Sequence, residues 1–228
     1  MNALLVVAKR PQPGQTKTRL TPPLSPLEAS QLYEHFLRDT LDLMRSVPNT
    51  KRIIVYLPQD EEGYFRSLAP DFDLLPQTGN DLGERLENAL THCLTNGFEK
   101  AVIMDSDSPT LPADYLTRAF TALDAAEVTL GPCDDGGYYL IGLKRPAPRL
   151  LREVRMSTPD VLSDTLRLAA EENLRVQLLE TWYDVDTASE LERLRAELAK
   201  LQNGRAAHTR SFFATNYTNS HELMQSNS

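Results

Sequence analysis

Short apolar segments alternate with amphipathic helical segments along most of this chain, and no other feature restricts its fold as strongly. Apolar segments of strand length occur at 3–8, 52–57, 72–75, 101–104, 127–132, 138–143 and 175–180. Helices are predicted between them, beginning near residues 25, 60, 81, 112, 158 and 187. Strands that alternate with helices form a mostly parallel sheet that helices cover on both faces. We therefore predict an α/β fold, in which the strand pair at 127–143 interrupts the alternation and allows an antiparallel strand.

Capping signals support the predicted helix starts. In a capping box, two side chains spaced three residues apart accept hydrogen bonds from backbone N–H groups at the start of a helix. Three pairs have this spacing: Ser25 with Glu28, Asp81 with Glu84, and Thr187 with Glu190. The helix near 158–172 is predicted to start at Ser157 or Thr158, with Pro159 in its first turn.

The length of 228 residues suits one large α/β domain, which is predicted over residues 1–201. From residue 202 the sequence is polar and loses its periodicity, so a disordered C-terminal tail is predicted over 202–228. Cys93 and Cys133 show no CxxC spacing and are predicted to be reduced thiols of a cytoplasmic protein. No apolar run approaches the roughly 20 residues of a membrane helix, so no membrane span is expected. The sequence leaves the oligomeric state open.

The charge distribution points to an anionic small ligand. A net charge of −8 argues against nucleic acid as a partner, yet the first 27 residues contain basic residues and no acid. The loop AKRPQPGQTKTRL follows the first strand, and ligands of open α/β sheets bind at the carboxyl ends of strands. We predict that Lys9, Gly14, Lys17 and Arg19 bind nucleotide phosphates there. A solvated basic loop is the alternative, because the spacing matches neither the P-loop nor GxGxxG.

Two acids end the fourth predicted strand, in the stretch AVIMDSDSPTLP. Asp105 and Asp107 are two residues apart, which places both side chains on one side of an extended segment. Like charges this close repel unless a cation lies between them. Mg²⁺ prefers one or two carboxylates together with phosphate oxygens, so a divalent metal site is predicted. Asp105 is also predicted to take part in nucleotide phosphate binding, because the ion would bridge to the phosphates. The alternative is that Asp107 or Ser108 only starts a turn before Pro109.

A second pair of acids, Asp184 and Asp186, follows the last predicted strand. Asp186 is a candidate third metal ligand, because it lies at the carboxyl end of a strand. Thr187 is the predicted N-cap of the next helix. Asp186 could therefore serve only the helix dipole, and that alternative stays open.

The turn between the strands at 127–132 and 138–143 contains further candidates. Asp134, Asp135, Gly136, Gly137 and Tyr138 follow one another there, and Asp-Gly is a strong signal for a hairpin turn. The functional alternative places Asp135 at the acceptor side of a site as a general base.

These motifs together resemble one superfamily. PGQTKTRL followed by LSPLEAS, MDSDSPTLP, GPCDDGGYYLIGL, STPDVL and WYDVDT are similar to the GT-A-type nucleotide-diphospho-sugar transferases, and most similar to a branch named for arsenosugar biosynthesis. The resemblance covers residues 1 to about 200. It implies a Rossmann-like three-layer sandwich with Lys17 and Arg19 near the phosphates. It also implies Asp105 and Asp107 as the DxD metal ligands and Asp186 as a further one. The GPCDDGGYYLIGL block, with Asp134, Gly136, Gly137 and Tyr138, would line the sugar or acceptor pocket.

The expected activity follows from this resemblance. It is a glycosyl transfer that depends on Mg²⁺ or Mn²⁺, in which a sugar moves from a nucleotide-diphospho-sugar to a hydroxyl of a small acceptor. Asp135 is the candidate catalytic base.

Two alternatives remain. KTRL with LSP also resembles 2-phospholactate guanylyltransferases, nucleotidyltransferases that share the fold. The alternative reaction is therefore the joining of a nucleoside triphosphate to a phosphorylated small molecule, with release of pyrophosphate. The missing GxG loop and the DGGYYLIGL block favour glycosyl transfer. A non-catalytic nucleotide-binding protein is the third possibility.

Overall fold

The computed structural model describes residues 1–201 and 204–225, and side chains up to Asn216. The chain divides into two compact units. The first, here called the sheet unit, comprises Met1–Arg10, Leu43–Ser106 and Leu111–Asp184. The second, the helical unit, comprises Pro11–Asp42, Asp107–Thr110 and the chain from Val185 onward. The boundaries therefore pass through both the basic loop and the DxD segment.

The sheet unit contains a mixed sheet of seven strands. The strands are β1 (Asn2–Lys9), β2 (Thr50–Leu57), β3 (Asp73–Pro76), β4 (Lys100–Met104), β5 (Val128–Pro132), β6 (Tyr138–Leu143) and β7 (Val176–Leu178). Their order is β3-β2-β1-β4-β6-β5-β7, and only β6 is antiparallel to its neighbours. The predicted fold class, a mostly parallel mixed sheet with one antiparallel strand, is confirmed.

Eight α-helices accompany the strands in the described chain. They are α1 (Pro26–Arg45), α2 (Glu62–Leu68), α3 (Leu82–Thr95), α4 (Ala113–Ala125), α5 (Arg149–Arg152), α6 (Val161–Glu171), α7 (Ala188–Leu198) and α8 (Ala207–Gln225). The short helix α5 was not predicted from the sequence. None of these helices has the length and apolar character needed to cross a membrane.

Alternate residues of the central strands face two different layers. Leu5, Ile103 and Ile141 belong to a buried cluster that α3, α5 and α6 complete. On the opposite face, Gly142 of β6 lies so close to α4 that a Cβ atom added there would be 3.2 Å from Leu123 Cδ1. Helices therefore cover both faces of the sheet, as a strand period of two and apolar residues at most positions predict.

The capping boxes form largely as predicted. Ser25 N donates to Glu28 Oε2 at 2.8 Å, and Glu28 N donates to Ser25 Oγ at 3.2 Å. The Thr187 and Glu190 box at α7 is also complete. At α3 only half of the box forms: Asp81 Oδ1 accepts from Glu84 N at 2.8 Å, whereas the Glu84 carboxylate accepts from the backbone of Asn80.

One helix begins later than predicted. The prediction placed the start of α6 at Ser157 or Thr158, but the helix begins at Val161. Ser157 adopts φ 62°, a left-handed conformation, and the Thr158 hydroxyl donates to Arg155 O instead of capping a helix. The segment before α6 is therefore a turn, and Leu162 N donates to Gly136 O in the neighbouring hairpin.

The prediction of a disordered tail is wrong for Ala207–Gln225, which form α8. Residues 202, 203 and 226–228 lie outside the described part of the chain. The start of α8 is capped by Asp39 of α1, whose carboxylate accepts from His208 N at 2.9 Å and from Thr209 N at 2.8 Å. Phe212 follows one turn later and is buried. Local composition missed this helix because its cap lies 169 residues away in the sequence.

Candidate functional site

The basic loop after β1 adopts a strained conformation that buries one of its lysines. Its first turn is closed by Thr16, whose backbone N and hydroxyl both donate to Gln12 O. Lys17 follows with φ 50° and ψ 39°, the left-handed conformation that residues with a side chain seldom adopt. Its side chain is only 5% exposed. Such strain persists only where the surrounding structure imposes it, and it is concentrated at functional sites.

Lys17 binds two of the predicted metal ligands. Its Nζ lies 2.7 Å from Asp107 Oδ1 and 2.7 Å from Asp186 Oδ1. The two carboxylates are 32% and 39% exposed, respectively, so they remain open to solvent while the ammonium group is buried. All three residues belong to the helical unit. We call them the lysine–aspartate triad.

Backbone contacts hold the two acids in place. Asp107 O accepts from Val185 N at 2.9 Å, which joins the DxD segment to the chain just before Asp186. Asp186 N donates to Glu190 Oε2 at 2.8 Å, so the capping box of α7 also fixes the backbone of Asp186. The carboxylate of Asp186 contacts the ammonium group of Lys17, an ion pair that neither the metal-ligand prediction nor the helix-dipole alternative included.

Two further side chains surround the triad. The ring of Phe36, in α1, is fully buried and lies 5.7 Å from Lys17 Nζ, a distance at which a cation is attracted to an aromatic face. Arg19 Nη1 lies 3.7 Å from Asp186 Oδ2, and its side chain is exposed. Sequence reasoning assigned no role to Phe36, because an aromatic residue at helical spacing is indistinguishable from a core residue.

The charges in the triad stabilise one another. Burial alone would lower the pKa of Lys17, but the negative charges of Asp107 and Asp186 outweigh it and raise that pKa above its ordinary value. Burial would likewise raise the pKa of Asp186, and the ammonium group of Lys17 lowers it instead. Lys17 is therefore a charged ammonium at neutral pH, and Asp186 is ionised.

The triad changes the argument for a metal ion. The sequence argument required a cation to relieve repulsion between Asp105 and Asp107. In the structure a cation, the ammonium group of Lys17, contacts Asp107 and Asp186. Among the side chains that the structure describes, within residues 1–201 and 204–216, no group of three His, Cys, Asp or Glu is arranged to hold a metal. Asp105 belongs to the sheet unit, where its backbone N donates to Tyr139 O at 3.1 Å. Metal binding by Asp105, Asp107 and Asp186 stays a prediction.

The turn between β5 and β6 is a hairpin turn, as one of the two alternatives predicted. Gly137 N donates to Asp135 Oδ1 at 2.9 Å, so the Asp135 carboxylate stabilises the turn. Gly136 has φ +91°, and a Cβ atom there would lie 2.1 Å from Pro159 O. Only glycine fits this position. Tyr138 packs against the core cluster beside α6. A role of Asp135 as a base, and of Asp134, Gly136, Gly137 and Tyr138 in an acceptor pocket, stays a prediction.

Cys133 lies among carboxylates in the sheet unit. Burial raises the pKa of its thiol, and the nearby charges of Asp184 and Asp105 raise it further. A thiol in these surroundings stays protonated and is a poor nucleophile. The carboxylate of Asp184 therefore interacts with the thiol of Cys133, a partner that sequence spacing did not reveal. The remaining predicted phosphate residues, Lys9 and Gly14, are exposed at the end of β1 and in the following loop.

The mixed seven-stranded sheet with helices on both faces is the Rossmann-like fold that nucleotidyltransferases and nucleotide-diphospho-sugar transferases share. One solved structure with a similar fold is a CMP:2-keto-3-deoxy-manno-octonic acid synthetase complexed with CTP. Its TM-score is 0.57 at 11% identity, and the match covers 87% of this chain and 98% of that one. At this identity the likeness concerns the fold alone. The chain belongs to the family described as "Uncharacterized protein conserved in bacteria (DUF2064)", whose model matches residues 40–158.

Two relatives match more of the chain than the family model does. A crystal structure from Desulfovibrio desulfuricans G20, provisionally described as a nucleotide-diphospho-sugar transferase, is 31% identical with a TM-score of 0.88 and covers 95% of each chain. The 2-phospho-L-lactate guanylyltransferase of Methanothermobacter thermautotrophicus is 26% identical over 200 residues, which are 86% of this chain and 83% of the relative. The predicted resemblance is confirmed at the level of this superfamily, and membership of the arsenosugar branch stays a prediction.

Proposed function

We propose that this protein is a nucleotidyltransferase that joins a nucleoside triphosphate to a phosphorylated small molecule and releases pyrophosphate. The lysine–aspartate triad is the observation that carries the proposal. The buried ammonium group comes from the loop that follows β1, and the two partly exposed carboxylates come from the segments that follow β4 and β7. One ammonium group and two carboxylates in contact suit a triphosphate and its divalent ion. Similarity to a guanylyltransferase over most of the chain supports nucleotidyl transfer over the glycosyl transfer that the sequence favoured.

The residues of the triad and the neighbouring Arg19 would have distinct roles in this reaction. Lys17 and Arg19 bind the phosphates and balance the charge that develops on the departing pyrophosphate. Asp107 and Asp186 fit a hard divalent ion, because their Oδ1 atoms already converge on one cationic centre. Mg²⁺ or Mn²⁺, when bound, neutralises phosphate charge. Asp105 remains the predicted partner of these two acids. The attacking group is a phosphate oxygen of the acceptor, which is ionised at neutral pH and needs no base.

Glycosyl transfer is the second candidate, because the structural relative with a TM-score of 0.88 is described as a nucleotide-diphospho-sugar transferase. In that reaction the same cations would stabilise a departing nucleoside diphosphate. A hydroxyl acceptor requires deprotonation, and Asp135 is the predicted base.

The products of the reaction separate the two candidates. The protein is incubated with Mg²⁺, each of the four common nucleoside triphosphates, and a panel of phosphorylated hydroxy acids and sugars that includes 2-phospho-L-lactate. A parallel series contains UDP-, GDP- and dTDP-sugars with hydroxyl acceptors. We expect pyrophosphate from the first series. Nucleoside diphosphate from the second series alone would establish glycosyl transfer instead, and metal-dependent nucleotide binding without turnover in either series would establish a non-catalytic protein.

Two variants connect the activity to the triad. Lys17→Met and Asp107→Asn should each lower kcat/KM about a hundredfold or more, the usual effect of losing one preorganised charge contact. Lys100→Met is the matched control. Lys100 also forms an ion pair, at 2.5 Å with Asp124, and its side chain is 14% exposed, but it lies at the start of β4 rather than its carboxyl end. Equal losses in all three variants would argue against a role of the triad.

A further inference from the structure

Lys17 occupies the carboxylate oxygens that a divalent ion would use. Its Nζ is within hydrogen-bonding distance of Asp107 Oδ1 and Asp186 Oδ1, and both contacts are charge-assisted. An ammonium group and a metal ion cannot both bind the same two oxygens at close range, because the cations repel each other and their coordination distances differ. The conformation of the chain described here is therefore one in which Lys17 and a metal ion compete.

The surroundings of Lys17 favour a function over a contribution to stability. A buried ion pair loses much of its attraction to desolvation and is weak evidence for stability. Lys17 also keeps a left-handed backbone to reach this position. The chain thus maintains an unfavourable backbone and a desolvated ammonium group, a combination expected where the charge is needed for a ligand.

We propose that Lys17 closes the metal site until a triphosphate arrives and then moves its ammonium group from Asp107 and Asp186 to the phosphates. The inference rests on the proposed function, since it needs a metal–triphosphate complex as ligand. Phosphate oxygens give the ammonium group new partners of the same charge, and they complete a ligand set in which Mg²⁺ takes only one or two carboxylates from the protein. Metal alone offers Lys17 no such replacement. The metal ion therefore binds together with the nucleotide and not before it.

Arg19 is suited to assist this exchange. Its guanidinium group lies 3.7 Å from Asp186 Oδ2, too far for a hydrogen bond, and its side chain is exposed. It can contact an incoming phosphate without leaving a buried partner. The incoming phosphate therefore contacts the exposed Arg19 first, and the buried ammonium group of Lys17 moves afterwards.

Mn²⁺ binding in the absence of nucleotide tests the inference directly, and electron paramagnetic resonance of free Mn²⁺ measures it. We expect Lys17→Met to bind Mn²⁺ about tenfold more tightly than the wild type, because two charge-assisted hydrogen bonds no longer compete. Lys100→Met has the same change in net charge and should bind Mn²⁺ as the wild type does. With a non-hydrolysable nucleoside triphosphate present, the wild type should gain Mn²⁺ affinity and Lys17→Met should lose triphosphate affinity. Equal Mn²⁺ affinities of wild type and Lys17→Met without nucleotide would overturn the inference.

The failure of this inference differs from the failure of the proposed function. Equal Mn²⁺ affinities overturn the exchange even where pyrophosphate is released. Absence of pyrophosphate, with the tenfold difference intact, counts only against nucleotidyl transfer. Circular dichroism verifies that each variant is folded. If Lys17→Met does not fold, the side-chain ¹⁵N resonance of Lys17 in the wild type decides: it should stay in place with Mg²⁺ alone and shift when Mg²⁺ and triphosphate are added together. A resonance that shifts with Mg²⁺ alone overturns the inference.

Discussion

A single carboxylate near the edge of the sheet shows how a residue in this chain responds to pH. Glu127, next to β5, accepts hydrogen bonds from the side chain and the backbone N of Arg175, which precedes β7. These bonds, the side-chain ones first, lower the pKa of Glu127 to about 2. A lowered pKa stabilises the fold above the pKa of the unfolded chain, about 4.5, and that contribution is lost as the pH falls toward 2.

We therefore predict that Glu127→Gln is less stable than the wild type near pH 6 and that the difference shrinks steadily below pH 4.5. Urea unfolding at several pH values measures it. Arg175→Met is the matched control, because it removes the side-chain donor and should reduce the same pH dependence. A difference between Glu127→Gln and wild type that is constant from pH 6 to pH 2 would contradict the prediction.

Two glycines, each the second residue of a helix, differ in how closely their surroundings are packed. Gly83 is the second residue of α3, and a Cβ atom there would lie 2.1 Å from Leu151 O in α5. Gly63 is the second residue of α2, and a Cβ atom there has no neighbour within 4 Å. Alanine is the better helix former, so the surroundings decide the sign of each substitution.

Gly83→Ala should lower the free energy of unfolding by about 1–3 kcal/mol, because a backbone carbonyl cannot move aside as a flexible side chain can. Gly63→Ala should leave the free energy of unfolding unchanged or raise it by up to about 1 kcal/mol. Chemical denaturation compares the two. A stable Gly83→Ala would mean that α3 and α5 separate easily.

The start of α8 depends on Asp39, a residue of α1 that is 6% exposed. Its carboxylate accepts from His208 N, Thr209 N and the Thr209 hydroxyl. Asp39→Ala should cost about 0.5–2 kcal/mol, the range for loss of an N-cap, and should raise hydrogen exchange of amides 207–216. Asp42→Ala is the control on the same helix, because Asp42 Oδ2 pairs with the His208 ring at 3.0 Å and not with the backbone N–H groups at the start of α8 that Asp39 caps. Equal exchange in both variants would argue against this role of Asp39.

How far the sequence predicts the elements depends on whether their determinants are local. The strands were predicted because buried segments are apolar, and the capping boxes of α1 and α7 because their partners lie three residues apart. The burial of Lys17 was not predicted, since a left-handed residue in a polar loop carries no sequence signal. The triad was predicted only as separate members, and what joins them is a contact across 169 residues. The helix α8 was missed for the same reason.

Ligand binding should be visible in the stability of the whole molecule. A ligand that binds only the folded state stabilises it by about 2.7 kcal/mol at a concentration one hundred times Kd. For a chain of this size, 1 kcal/mol raises Tm by roughly 2–4 °C. We predict that Mg²⁺ with a nucleoside triphosphate raises Tm by several degrees in the wild type and by less in Lys17→Met. Differential scanning fluorimetry measures the shift, and a larger shift with nucleotide sugars than with triphosphates would favour glycosyl transfer.

The single antiparallel strand has a consequence for how this chain can be altered. Because β6 runs antiparallel to β4, with Met104 opposite Leu140, the first residues of β6 lie beside the carboxyl end of β4. The last residues of β6 lie beside Ala101, near the amino end of β4. Arg145 follows β6 and is exposed. An insertion after it would therefore lie at the opposite end of β4 from Asp105. An insertion at 133–137 would instead alter the chain beside the carboxyl end of β4, where Asp105 lies. A fluorescent label or an affinity tag belongs after Arg145.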